Sequence, residues 1–213
     1  NGSVTIPDDA YRWAKGETIN GGGDGSKLKI LKPLDWYAVS DHAEYLGLFK
    51  KMEDPSSQAS KIEMAKRVLS KDQVIAFSAY SEVLAALATG EAIPELVNPS
   101  INQTIWQEVV KTADAHYVPG KFTTFPAFEW TSHPGSRNLH RVVLFENSKN
   151  LPQTPFSVLD SDRPEDLWAW MGKQRENGAT LLAVAHNGNA SDGLMFPEEI
   201  SYGGSTMNKE YAQ

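Results

Sequence analysis

The sequence predicts an α/β protein, and three observations carry that expectation. Short apolar runs at 36–39, 123–130, 139–145 and 180–185 stop abruptly at polar or turn residues, as buried strands do. Helix start and stop signals stand between these runs: Pro164 opens one amphipathic stretch and Asn177-Gly178 closes it. That helix leads straight into the run at 180–185, which is the alternation of a parallel sheet.

Taken in order, residues 7–16 carry a proline, then acids in the first turn, then a closing glycine, and predict a helix. Asn20-Gly21-Gly22-Gly23-Asp24-Gly25-Ser26 is a turn, with neither the spacing of a phosphate-binding loop nor GxGxxG. Lys27 to Lys32 form a short edge strand before the run that ends in Ser40-Asp41-His42. Residues 48–116 then read as helical. Ile62/Ala65/Val68/Leu69, Val83/Leu84/Leu87/Ala88 and Ile105/Trp106/Val109/Val110 form three apolar stripes, and Asn98-Pro99-Ser100 starts the last helix. This block holds one histidine, His116, and reads as a helical insertion that covers or shapes a site built elsewhere. Strand signals return at 123–132 and 139–145, joined by the turn His133–Asn138; the pair is either adjacent and antiparallel or a short excursion. A loop covers 147–162, and nothing regular follows Pro197.

The chain has 213 residues, enough for one domain with a sizeable core. It is 40% hydrophobic and has six tryptophans, which argues for a packed fold over a disordered one. A net charge of −7 without a Lys/Arg cluster argues against a nucleic-acid partner; the acidic balance suits cation loading, although a solvated acidic surface is the commoner explanation, and the expected partner is a small-molecule anionic substrate. No apolar run approaches the roughly 20 residues that cross a membrane. With no cysteine, disulfides, thiolate metal sites and cysteine nucleophiles are all excluded.

Three apolar runs end in or carry metal-competent side chains, Asp41-His42, Glu129 and His186, and His140 starts a fourth. Ends of strands in α/β proteins are where chemistry is placed. Two readings fit Asp41-His42: an imidazole ligand with a neighbouring carboxylate, or a buried histidine capped by its own loop. A His/Glu/Asp set without thiols suits Zn²⁺, Mn²⁺ or Fe²⁺. Arg137 and Arg141 flank His140, where they grip an anion or make surface salt bridges. His116 and His133 lie in loop-like sequence and read as structural or surface residues. No Gly-x-Ser-x-Gly elbow is present, and Glu129 lacks an obvious second carboxylate for glycoside hydrolysis.

Five stretches together resemble the PHP (polymerase and histidinol phosphatase) superfamily of metallohydrolases, and more closely a large bacterial branch of it without a settled function. They are residues 7–17, the 34–47 stretch around Ser40-Asp41-His42-Ala43-Glu44, Phe128-Glu129-Trp130-Thr131-Ser132, Asn138-Leu139-His140-Arg141 with the apolar run behind it, and Ala185-His186-Asn187-Gly188-Asn189 onward to Gly193. The resemblance implies part of a distorted (βα)7 barrel, one domain over 1–213, interrupted by the helical insertion at 48–116. It implies divalent metals (Zn, Mn or Fe) on His42, Glu129, His140 and His186, with Glu129 bridging two of them. Asp41 then holds an imidazole, and Arg137 or Arg141 steadies the substrate. The activity implied is a phosphoesterase-type hydrolase using metal-activated water; a non-catalytic metal- or ligand-binding fragment and a hydrolase of sulfate esters or amides stay open beside it. The bacterial branch implies cytoplasm or periplasm. The superfamily opens with His-x-His and closes with Asp-x-His, and neither stands at the corresponding end of this chain, so it reads as an interior fragment.

Overall fold

The computed structural model describes residues 5–21 and 24–207; Gly22 and Gly23 of the expected glycine-rich turn lie outside them. The elements are α1 (Pro7–Ala14), β1 (Ile19–Asn20), β2 (Lys27–Leu28), β3 (Trp36–Tyr37), α2 (Leu48–Met52), α3 (Glu63–Val68), α4 (Gln73–Thr89), α5 (Pro99–His116), β4 (Thr123–Thr124), β5 (Ala127–Trp130), β6 (Arg141–Phe145), α6 (Pro164–Glu176) and β7 (Leu181–Ala185). Their ends follow local chemistry. The Asn98 side chain accepts from the N–H groups of Ser100 and Ile101 to start α5, and Asp72 does the same for Val74 in α4. Gly90, at φ 71°, closes α4 in a left-handed conformation that a side chain would strain.

The expected (βα)7 barrel is not what forms. The chain is a mixed α/β structure with 38% helix and 13% strand, in small sheets of two or three strands and with no closed barrel. The physical reason lies in strand direction. β5, β6 and β7 pair antiparallel throughout, Glu129 opposite Val142 and Val142 opposite Val184. The helix-to-strand alternation at α6–β7 therefore delivers β7 against β6 in the opposite sense to the one expected. A barrel also needs a continuous ladder. Here β3 and β4 pair parallel over two residues, and the ladder then lapses. Pro126, which has no N–H to donate, lies in the gap.

The lapse is local. Trp36–Thr123, Tyr37–Thr124 and the isolated parallel bridge His42–Glu129 share one sequence offset. Residues 36–43 thus run beside 123–130 in a single parallel register. It is pinned beyond the gap by Glu129 N–H donating to Asp41 O at 2.8 Å and Ala43 N–H donating to Glu129 O at 2.8 Å. The run at 36–39 nevertheless is not a buried strand: Trp36 is 56% exposed.

Side chains alternate across a strand, so the three-stranded sheet has two unlike faces. Phe128, Trp130, Val143, Phe145 and Leu181 point into the main core. Trp106 of α5 meets Phe128 edge-on, with ring centroids 6.0 Å apart, and Trp170 of α6 meets it at 5.9 Å. Leu48, Met52, Met64, Val83 and Leu96 from the 48–116 block join the same core. That block is helical as expected, although the stripe residues Leu69 and Leu84 face solvent. A second cluster, Tyr11, Ala14, Ala113 and Phe122, binds α1 to α5 and β4. The opposite face of the sheet carries Glu129, Val142, Leu144, Leu182 and Val184. At its end lie Thr131, His140 and His186.

Candidate metal centre

Antiparallel pairing is what assembles the site. Glu129 lies in β5, His140 immediately precedes β6, and His186 immediately follows β7. In an antiparallel sheet the start of β6 and the end of β7 lie at one edge, and His186 N–H donates to His140 O at 3.0 Å there. His42 arrives from the parallel side, as the bridge partner of Glu129.

The centre is a carboxylate ringed by imidazoles. His140 Nδ1 lies 3.0 Å from Glu129 Oε1, His186 Nδ1 lies 3.3 Å from the same oxygen, and His42 Nε2 lies 3.9 Å from Oε2. Donor atoms of His42, Glu129 and His140 all fall within 4.8 Å of one another. The Glu129 and His140 side chains are each only 9% exposed, whereas His42 is 51% and His186 46% exposed. One wall of the site is therefore dry and the other open to solvent and solutes. The donor set suits a divalent cation: a carboxylate, imidazoles and no thiolate. His140 Nε2 is buried without a hydrogen-bond partner, an orphan in keeping with a polar group that serves a ligand.

Electrostatics agree with the geometry. Burial pushes the Glu129 carboxyl up, but the His140 hydrogen bond and the charges of His42, His186 and His140 outweigh it and hold the group below its usual range. The hydrogen bond to Glu44 raises His42 against the opposing effect of burial, and the charges of Glu44, Glu129 and Asp41 add to the rise. Burial lowers His133, and the nearby His140 lowers it further. Desolvation raises Asp41, opposed by His42 and reinforced by Glu129.

Of the residues expected at the site, His42, Glu129, His140 and His186 are brought together. The others are not placed as expected. Arg141 follows His140 in a strand and so points to the other face. It is buried there, donating to Met195 O at 3.1 Å, with its guanidinium 5.5 Å from the Trp168 ring. Burial lowers its pKa to about 10. Arg137 donates to Asp192 at 3.1 Å, tying the loop before His140 to the loop after His186. Asp41 holds Glu129 through its backbone carbonyl. The residue lines a cavity with Trp13, Ile19, Tyr37 and Val39.

Three further residues join the centre. Thr131 Oγ1 is 2.6 Å from His42 Nδ1 and donates to Glu44 Oε1 at 2.8 Å, and Glu44 Oε1 is 3.2 Å from the same Nδ1. The His133 ring centroid lies 5.0 Å from that of His140. Thr131 and His133 sit two and four positions beyond Glu129, a period-two signal that was available in the sequence. His116 is elsewhere, 2.8 Å from Asp8 and stacked on Tyr11. It completes an Asp-x-His triplet, Asp114-Ala115-His116, but inside α5.

A family model described as "Protein of unknown function (DUF3604)" matches residues 1–213. The chain belongs to the DUF3604 family. No curated protein and no solved structure matches it. Among the described residues of this DUF3604 chain, no helix is long and apolar enough to cross a membrane.

Proposed function

We propose that this chain is a metal-dependent hydrolase whose divalent cation (Zn, Mn or Fe) is held by His42, Glu129 and His140, with His186 beside them. One observation carries the reading: a buried carboxylate faced by three imidazole nitrogens, with one side of the cluster open. When bound, such a cation polarises a water or a substrate oxygen. The chain's own residues do the rest. Glu129 supplies the negative charge that draws the cation into a half-dry site. The half-exposed His42 and His186 line the approach that a small solute takes. Arg137 and Asp192 brace the two loops that carry His140 and His186.

Resemblance of these motifs to the PHP superfamily supports phosphoesters as the substrate class. A second reading, hydrolysis of a non-phosphate ester or amide, draws support from the arginines. Arg141 lies on the far face and Arg137 is engaged by Asp192, so neither stands ready to clamp a phosphate. Assay of a phosphomonoester, a phosphodiester, a sulfate ester and a carboxylate ester with added Mn²⁺ or Zn²⁺ separates them. The expected outcome is metal-dependent turnover of a phosphoester that falls at least about 100-fold in Glu129→Gln, beyond the usual effect of losing an outer partner. Turnover confined to the other esters moves the reading to the second class. Metal uptake with no turnover of any of them removes the enzyme and leaves a binding protein.

A further inference from the structure

We propose that Glu44, both directly and through Thr131, fixes the tautomer of His42 and so turns a bare Nε2 lone pair toward Glu129. Glu44 is then a positioning residue of the centre. The purpose of this device rests on the metal reading above; its geometry does not.

The inference follows from counting hydrogens. Thr131 has one hydroxyl proton, and an ionised carboxylate can only accept. The proton therefore goes to Glu44 Oε1, 2.8 Å away. What Thr131 Oγ1 then offers His42 Nδ1, at 2.6 Å, is a lone pair. Two lone pairs at that distance repel, so Nδ1 must carry a hydrogen and donate it. Glu44 Oε1, 3.2 Å from the same Nδ1, makes the same demand directly. In the neutral ring, Nε2 is consequently bare. That lone pair looks across 3.9 Å at Glu129 Oε2, also an acceptor. Two acceptors at that separation make no hydrogen bond. A divalent cation held by His42 and Glu129 would satisfy both.

A carboxylate that orients a ligating imidazole through its other nitrogen is the usual support for such ligands. Here it is split over two residues from chain segments far apart in sequence. Glu44 follows His42 by two positions, while Thr131 follows Glu129 by two, just past the end of β5. The relay thus references His42 to the strand that carries the carboxylate. The Glu44 side chain is 8% exposed, so solvent competes little for the contact.

The test is imidazole NMR on ¹⁵N-labelled, metal-free protein at about pH 9, where imidazole is neutral. Two-bond couplings report which ring nitrogen carries hydrogen. The wild type is expected to show His42 as the Nδ1–H form. In Glu44→Leu the freed Thr131 hydroxyl donates to Nδ1, and the ring is expected to switch to Nε2–H. Thr131→Val keeps the direct Glu44 contact and is expected to retain Nδ1–H. An Nε2–H signal in the wild type, or in Thr131→Val, overturns the proposal, and so does a Glu44→Leu ring that stays Nδ1–H. These readings hold even where Glu44→Leu fails to fold, because the wild type and Thr131→Val still decide. Calorimetric titration with Zn²⁺ or Mn²⁺ alone is the second arm. Glu44→Leu is expected to weaken binding about 10- to 100-fold, and unchanged affinity overturns the positioning role. A wild type that binds neither ion defeats the metal reading, while the NMR result judges the tautomer lock on its own.

Discussion

The two faces of the β5–β6–β7 sheet are made from the same strands and do opposite work. One face presents Phe128, Trp130, Val143 and Phe145 to α5 and α6, and these side chains are essentially inaccessible to solvent. The other presents Glu129 between Thr131 and Ala127, and ends in His140 and His186. Residues adjacent in sequence are divided between packing and chemistry by the pleat alone. The packed face makes the polar face possible. Its rigidity holds Glu129 and His140 at 3.0 Å, at low exposure, where an unsupported loop would not. Substitutions on the two faces should therefore separate into stability effects and ligand effects.

The largest expected effect is on the packed face. Phe128→Ala removes a ring that touches Trp106, Phe145 and Trp170. It should cost about 3–5 kcal/mol, read by urea unfolding in metal-free buffer. A loss below about 1 kcal/mol breaks the division. On the polar face, Glu129→Gln should lower metal affinity at least about 100-fold while costing only about 1.5–3 kcal/mol of metal-free stability, the range of a lost hydrogen bond to a charged group. A variant that unfolds outright would show the site to be structural.

Arg141→Met sharpens the comparison at the border between the faces. Arg141 neighbours His140 but is buried against Met195 and Trp168, with no carboxylate among its described partners. A buried cation without a counter-charge gains little, and methionine preserves the apolar stem. Stability should stay within about 1 kcal/mol, and metal affinity within about twofold. A larger fall in affinity would place the guanidinium at the site after all.

The smallest effect is the pH dependence of metal-free stability. The Glu129 carboxyl is held below its ordinary value of 4.5 in the folded protein, so its contribution is present above about that pH. It is lost as pH falls through the lower folded value. His42 is raised above its ordinary 6.5, so its contribution is present below that pH and is lost as pH rises through the higher folded value. Chemical unfolding across pH should show a Glu129 limb on the acid side that Glu129→Gln flattens. The His42 limb should be slight, because half of that ring is in water.

Much of this site was legible from residue type and position. Glu129, His140 and His186 announced themselves as polar residues within or at the ends of apolar runs, and they converge. The same logic, pressed further, would have parted His140 from Arg141, since neighbours in a strand cannot share a face. It would also have put Thr131 beside Glu129. Glu44 was harder to find, because its role depends on a register between chain segments far apart in sequence. Helices were readable from their caps: Asn98, Pro164 and Gly90 stand where α5 and α6 start and α4 stops. Strand direction was not readable. An apolar run after a helix is the same pattern whether it returns parallel or antiparallel, and that ambiguity is why a barrel was expected where β6 and β7 pair antiparallel. Pro126 and the exposed Trp36 mark where the parallel ladder thins.

The most direct test is anomalous diffraction from crystals soaked with Zn²⁺. The expected result is one strong peak bounded by His42, Glu129 and His140, at about 2.0–2.2 Å from their donor atoms, and lost in Glu129→Gln. Zinc bound only elsewhere, or a peak that survives in Glu129→Gln, would contradict the metal centre.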